Sequence, residues 1–419
     1  MTMGKTFGNR LQLARTERLL TQEELGGDVF LARDVSMLER GRREPTGGAT
    51  RFLADRLTAV PGFPQPRAGE DSRLFLEFSA AQSWDERNYR EARRLSQLAA
   101  DAALVEQDPT GWWELSLIAA AGLRRLHEYE ACIAEAERLA QHPLAAEGQP
   151  LRPQAEALLA TACQGAGRLP EAVSHARQAL DIGVLLRLNA DQLIEVYQAL
   201  IAALSESGLH EEAWGHCQAL LLPLLDAASD PQTAGKGFWA VGNVAFRRGD
   251  TATGVRYHTK AESLLRPDAD LEAWAAFNRS SAALRLAEGL HDAATNRLMD
   301  HAETALSVLG GTEEDILENL HSRGRWHQLA GNHQSAVQIL TEVYTRREAL
   351  SPQGAAEVAL HLGLSRAALG EMSRAVQLLD DSAEGFFTAG AMDRAAHAAR
   401  LADQARAGMP VGLSTRTGT

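Results

Sequence analysis

Small and large apolar residues are laid out along most of this chain on a period of about forty residues, the length of a helix pair. The markers are glycines at Gly167, Gly208, Gly249, Gly289, Gly331 and Gly370, with steps of 41, 41, 40, 42 and 39 residues. Seven positions before each turn stand Ala160, Ile201, Gly242, Ala282, Gly324 and Gly363, and five positions after it Ala172, Ala213, Gly254, Ala294, Ala336 and Ala375. Small side chains at fixed offsets from a turn let two antiparallel helices approach closely. Leu158, Leu204, Leu284, Leu329 and Leu369 are expected to fill the seam between them. Run backward, the period places turns near His127 and Arg87, with Ala120 and Ala92 at the matching points. Each unit then buries its apolar face on the next, which defines an α-solenoid. Ala391 to Ala407 reads as a polar capping helix, and the tail from Gly408 as disordered.

The first sixty residues follow a different pattern. Leu25, Val35 and Leu38 are spaced to seal a small core between successive short helices. Thr21 and Glu24 form a capping box at a helix start. Gly41 can end a helix in the left-handed conformation, with Pro45 as a stop beyond it. Gly26 and Gly27 predict that the helix begun at Thr21 is short, since glycine weakens a helix by about 1 kcal/mol relative to alanine. Pro61, Pro64 and Pro66 mark an extended linker over 61–71. The predicted organisation is a head over 1–60, a solenoid over 72–407 and a tail over 408–419.

The head resembles the Cro/Xre family of helix-turn-helix DNA-binding domains. The residues that carry the resemblance are Phe7, Leu11, Arg15, Leu20, Thr21, Gln22, Glu23, Glu24, Leu25, Val35, Ser36, Glu39, Arg40, Gly41 and Pro45. The resemblance implies an all-α fold, with a five-helix-type head that lays its recognition helix, near Leu31 to Glu39, in the DNA major groove. It implies a structural pair between Arg15 and Glu39. It maps base-facing positions onto Leu31, Ala32, Arg33 and Met37, and a phosphate contact onto Gln22. Arg33 suits guanine, whose two acceptors a guanidinium meets together, and Ala32 and Met37 suit a thymine methyl. Arg42 and Arg43 would neutralise phosphates. Core packing is the competing reading of Met37, and a plain surface arginine that of Arg33. Leu31 stands where the family has Ser or Thr, so the recognition helix lacks its expected cap.

The forty-residue array resembles tetratricopeptide repeats (TPR) with lengthened helices, which implies a right-handed TPR-like α-solenoid of about eight helix pairs. In such an array the first helix of each pair lines a concave face suited to an extended peptide. The repeat register places Lys236, Trp239, Asn243, Phe246 and Arg247 on that face, then Arg279, then Glu318, His321, Arg325 and Gln328. Asn243 can grip a peptide backbone, Arg279 and Arg325 can hold carboxylates, and Trp239 and Phe246 can serve as apolar anchors. Packing between repeats is the rival reading of the aromatics, and solvated salt bridges that of the arginines.

Charge sharpens the division. The chain carries a net charge of −13, yet its first 67 residues are net basic, so the acidic excess lies in the array. A basic head on an acidic body suits a DNA reader whose larger part stays off DNA. Cys132, Cys163 and Cys217 lie far apart without metal spacing and read as reduced packing residues of a cytoplasmic protein. The first residues lack a signal-peptide run. No stretch reaches the roughly 18 apolar residues of a membrane span.

Catalytic patterns are weak. His210 and His216 stand six apart, as do His321 and His327, which is about 240° around a helix, so neither pair can ligate a metal from one face. Gly235 and Lys236 lack the loop spacing that cradles phosphate. Glu313, Glu314 and Asp315 suit a helix N-terminus. Neither an enzyme nor a cofactor is expected.

A Cro/Xre head joined to a TPR-like array resembles the peptide-pheromone-sensing RRNPP superfamily. The turn between Leu25 and Glu39, one residue shorter than is commonest in the Cro/Xre family, also occurs in such regulators. The resemblance implies a homodimeric transcription regulator on a palindromic operator, controlled by a short signalling peptide in quorum sensing. A DNA-bound adaptor whose solenoid recruits a protein partner is the alternative, and an enzyme-associated scaffold with a vestigial head a third reading.

Overall fold

The computed structural model describes residues 7–43, 45–60, 71–146 and 151–411, and every regular element among them is helical. The chain divides into two compact units, 1–229 and 230–419.

The first unit opens with α1 (Phe7–Glu17), α2 (Gln22–Gly26), α3 (Ala32–Glu39) and α4 (Gly47–Thr58). Their core comprises Phe7, Leu11, Leu25, Val35, Leu38, Leu53 and Leu57, and α5 (Arg73–Asp85) adds Phe78 and Ala81. Phe7 meets Phe78 edge-on with ring centroids 5.5 Å apart, and the Phe7 amide donates to Asp85 at 3.1 Å. The first helix of the array thus completes the head's core. Thr21 and Glu24 make the capping box, and α2 is five residues long. The linker expected over 61–71 lies outside the described residues, except that Asp71 pairs with Arg51 at 2.9 Å.

The array continues as α6 (Tyr89–Val105), α7 (Pro109–Arg125), α8 (Tyr129–Gln141), α9 (Arg152–Gly165), α10 (Leu169–Leu185) and α11 (Ala190–Glu206). The partner of α11 is broken into α12 (His210–His216), a wider π turn over Cys217–Leu221, and α13 (Leu222–Leu225). Pro223 explains the break. It has no N–H to return to the preceding turn, and its ring crowds the carbonyl four residues back.

The second unit holds α14 (Pro231–Arg247), α15 (Thr251–Leu264), α16 (Leu271–Ala287), α17 (Ala293–Leu309), α18 (Glu313–Leu329), α19 (His333–Thr345), α20 (Pro352–Ala368), α21 (Met372–Thr388) and α22 (Met392–Arg406). Each unit contributes four helix pairs, and α22 closes the second. This is a TPR-like helical array. Four helices of the second unit start at an aspartate acceptor: Asp230, Asp250, Asp270 and Asp292 each take a first-turn amide.

The marker glycines all have positive φ, between 76° and 83°. His127 and Arg87 take the same left-handed turn, with φ of 60° and 59°. The small residues mark close approaches. A Cβ on Gly254 would lie 2.6 Å from the Phe246 ring, and one on Gly324 would lie 2.6 Å from Leu340. The seam expectation holds for Leu158 and Leu204, which are buried. Leu284 and Leu329 are only half-buried, and Leu369, the C-cap residue of α20 at the turn, is 38% exposed. Residues 412–419 of the expected tail lie outside the described residues, while Val411 packs against the core that α22 closes. No helix among the described residues is long and apolar enough to cross a membrane.

Candidate functional site

Two surfaces gather the candidate residues, one in each unit. In the head, α3 is fixed by a clamp at its far end. Arg15 on α1 donates from Nε to Glu39 Oε1 at 2.6 Å and from Nη2 to Oε2 at 3.1 Å, while its Nη1 reaches the Leu20 carbonyl at 2.8 Å. Gln22 Nε2 donates to Glu39 Oε2 at 2.7 Å, so one buried carboxylate joins α1, α2 and α3. The hydrogen bonds it donates to Glu39 hold the Arg15 guanidinium charged. Behind the clamp, a Cβ on Gly8 would sit 2.5 Å from the carbonyl oxygens of Leu38 and Glu39, so α1 crosses α3 at near backbone contact.

The clamp leaves the opposite face of α3 outward. Arg33 is exposed and has no partner among the described residues, and Arg42 is exposed as well. Leu31 is 59% exposed, and Ala32 and Met37 are half-buried. Gln22 spends one amide hydrogen on Glu39, which leaves one for a phosphate. Arg43 differs from the expectation, since its Nη1 is bound to Asp34 at 3.0 Å and its charge is partly matched. Asp34 was missed in the sequence reading. Its carboxylate also accepts from the Leu31 amide at 3.2 Å, satisfying one orphan donor of the helix start, while the first-turn amides that a Ser or Thr at 31 would accept from receive no side-chain cap. An acid three residues past a helix start was the available signal.

In the second unit, α14, α16, α18 and α20 touch one another in sequence and form one layer. Several residues expected to face a ligand from this layer are spent on packing. Phe246 is buried, its ring 5.0 Å from that of His258 in the space Gly254 leaves open, so it is a core residue rather than an anchor. Gln328 is also buried. Its amide nitrogen donates to the His361 carbonyl at 2.9 Å and to Ser365 at 3.1 Å, and its oxygen faces His361 Nδ1 at 2.9 Å, so it ties α18 to α20. Trp239 is half-buried, donates to Ser280 at 3.0 Å and meets Phe277 edge-on. Lys236 is paired with Asp270 at 2.7 Å, and Arg279 with Asp315 and, at 3.8 Å, Glu318. Arg247 is exposed but already engaged.

Asn243 sits half-buried, its Oδ1 3.1 Å from His258 Nε2, while His258 Nδ1 lies 2.8 Å from the Ser281 hydroxyl. Burial pushes the His258 pKa down to about 3, so the ring is neutral and holds the Asn243 oxygen inward with the amide hydrogens outward. His321 and Arg325 remain. Each has an enclosed nitrogen, Nε2 and Nε respectively, without a partner among the described residues. The buried polar residues His258, Ser281, Asn278 and His361 escaped the sequence reading, which singled out none of them. The three cysteines are buried, and none forms a disulfide. Burial raises the Cys132 thiol to about 11.

No family model matches the chain, and no curated relative matches it. Among solved structures it is similar to a Rap protein complexed with competence and sporulation factor, at 14% identity, 96% of this chain, 98% of that chain and a TM-score of 0.54. It is similar to the Rap conjugation gene regulator of the plasmid pLS20 in complex with the Phr* peptide, at 13% identity, 97% and 98% coverage and a TM-score of 0.50. PlcR of Bacillus thuringiensis, in complex with the peptide PapR7 and DNA, matches at 17% identity over 62% of this chain and 94% of that chain, with a TM-score of 0.38. At these identities the two Rap structures establish a shared fold, the TPR-like helical array.

Proposed function

We propose that the chain is a sequence-specific, DNA-binding transcription regulator of the cytoplasm, without catalytic activity, whose second unit binds a short signalling peptide that alters its hold on DNA. One observation carries the reading: Arg33 stands exposed, with no partner among the described residues, on an α3 that the Arg15–Glu39–Gln22 clamp fixes from behind. A guanidinium held ready on a groove-sized helix suits guanine readout, with Leu31, Ala32 and Met37 beside it and Arg42 and Gln22 on phosphates. The peptide half of the reading is supported by Asn243, His321 and Arg325 on the α14–α18 layer, and by a fold that is seen with Phr* peptide in the Rap conjugation gene regulator. We assign the active form to a homodimer on a palindromic operator, because two weak heads gain affinity when joined. The peptide must then favour one arrangement of the dimer over another.

The test is titration of the full-length chain onto the duplex upstream of its own gene, in random competitor at several salt concentrations, with and without extract of its native cells. A competitor-resistant complex whose affinity changes with extract supports the proposal. A complex chased equally by random DNA refutes it. A second reading, an adaptor that recruits a protein, is favoured by Phe387 and Met392, which stand 63% and 56% exposed about the α21–α22 turn.

A further inference from the structure

His321 and Arg325 lie one turn apart on α18 and share a face. His361 of α20 stands against His321 with ring centroids 5.4 Å apart. Glu357 of α20, Arg394 of α22 and Glu288 just past α16 are the charged groups that act on this face. Glu357 exerts the strongest pull on Arg325, but its Oε1 already takes Arg394 Nη1 at 2.5 Å. Two guanidinium groups therefore share one carboxylate, and the hydrogen bond goes to Arg394.

Arg325 is left with an enclosed Nε and no acceptor among the described residues. Burial depresses its pKa, and the pull of Glu357 and Glu288 offsets that only in part. The contrast with its neighbours is plain: Lys236 has Asp270, and Arg279 has Asp315. His321 adds a second orphan, Nε2. Burial brings its pKa down to about 4, so at neutral pH the ring is uncharged and can donate one hydrogen bond. A guanidinium whose Nε is enclosed and unpartnered, one helical turn from an imidazole whose Nε2 is likewise unpartnered, offers the charge and donors that a planar anion needs.

We propose that Arg325 and His321 receive a carboxylate of the peptide, the guanidinium binding both oxygens and His321 Nε2–H one of them. The proposal rests on the reading of the second unit as a peptide site and names what the peptide must carry there. The carboxylate belongs either to the C-terminus or to an Asp or Glu side chain.

The experiment retains synthetic hexapeptides on the immobilised full-length chain and reads them by mass spectrometry. One random library, made without Asp and Glu, is used as free acid and as C-terminal amide; a third, amidated, admits Asp and Glu. Charge-assisted bidentate bonds predict enrichment of carboxylate-bearing peptides by about tenfold or more over the acid-free amides. That enrichment should vanish in Arg325→Gln and persist in Arg297→Gln, a surface arginine of α17 paired with Glu262. Enrichment of the free-acid library assigns the C-terminus, and enrichment of the third library assigns a side chain. No preference for carboxylates, no retention of any library, or a preference that survives Arg325→Gln overturns the proposal.

A ligand-free measurement stands beside it. Because Arg325→Gln removes a charge that burial disfavours and that holds no hydrogen-bonded acceptor among the described residues, the unfolding midpoint should hold or rise, whereas a fall marks Arg325 as an internal structural partner and overturns the receptor. If carboxylate peptides bind at Arg325 yet leave duplex affinity unchanged, the receptor stands and the regulatory reading fails.

Discussion

Replacing the buried Glu39 with alanine should loosen the head. The carboxylate accepts three hydrogen bonds, from Arg15 Nε, Arg15 Nη2 and Gln22 Nε2, and its side chain is 3% exposed against 12% for Arg15. Removing it leaves a guanidinium with one remaining acceptor, the Leu20 carbonyl, and an amide with none. Breaking a buried pair costs about 3–5 kcal/mol, and because Arg15 lies where solvent can reach it the low end applies, about 3 kcal/mol. Amide hydrogen exchange across α1, α2 and α3, followed peptide by peptide in the full chain, reports this locally. At about 1.4 kcal/mol per factor of ten, protection should fall about a hundredfold there and stay constant in α14–α22. Glu39→Gln, which keeps one oxygen acceptor, should fall between. Protection within twofold of wild type in Glu39→Ala would refute the clamp.

Three further outcomes follow from the packing. Gly8→Ala pushes a methyl into two carbonyl oxygens of α3 and should destabilise the head by about 1–3 kcal/mol, seen as lost exchange protection in α1 and α3. Gln107 holds φ at 59° between α6 and α7, so Gln107→Gly should relieve about 1 kcal/mol of strain and raise the thermal midpoint. His258, with its pKa near 3 when folded and an ordinary value near 6.5 when unfolded, binds its proton more tightly in the unfolded chain. Its contribution is full above pH 6.5 and drains away as pH falls toward 3, at up to about 1.4 kcal/mol per pH unit. Urea midpoints between pH 7 and pH 5 should therefore fall less in His258→Gln than in wild type.

The helical array was legible because its grammar is backbone grammar. Gly167 to Gly370 mark positive φ, and Gly254 and Gly324 mark places where a Cβ would strike the facing helix, so period and offsets carry geometry directly. Side-chain roles on the inner layer were harder to read, because a helix periodicity gives direction but not depth. Phe246 and Asn243 lie three residues apart on α14, yet one is sealed by Gly254 and the other remains half-buried. Gln328 and Arg325 look alike in register, but Ser365 and His361 across the interface absorb the amide and nothing described absorbs the guanidinium. Such outcomes depend on partners 33–37 residues away. In the head, the capping box and the core were readable, whereas the contribution of α5 to that core was hidden behind the proline-rich segment.

The most direct test of the account is selection of binding sites by the full-length chain from a pool of random duplexes, run beside Arg33→Ala. The account predicts one enriched motif for wild type containing a guanine step, and loss of preference at that step in Arg33→Ala at a cost of about 1–3 kcal/mol. A wild-type pool no more enriched than the input, or an unchanged motif in Arg33→Ala, would contradict it.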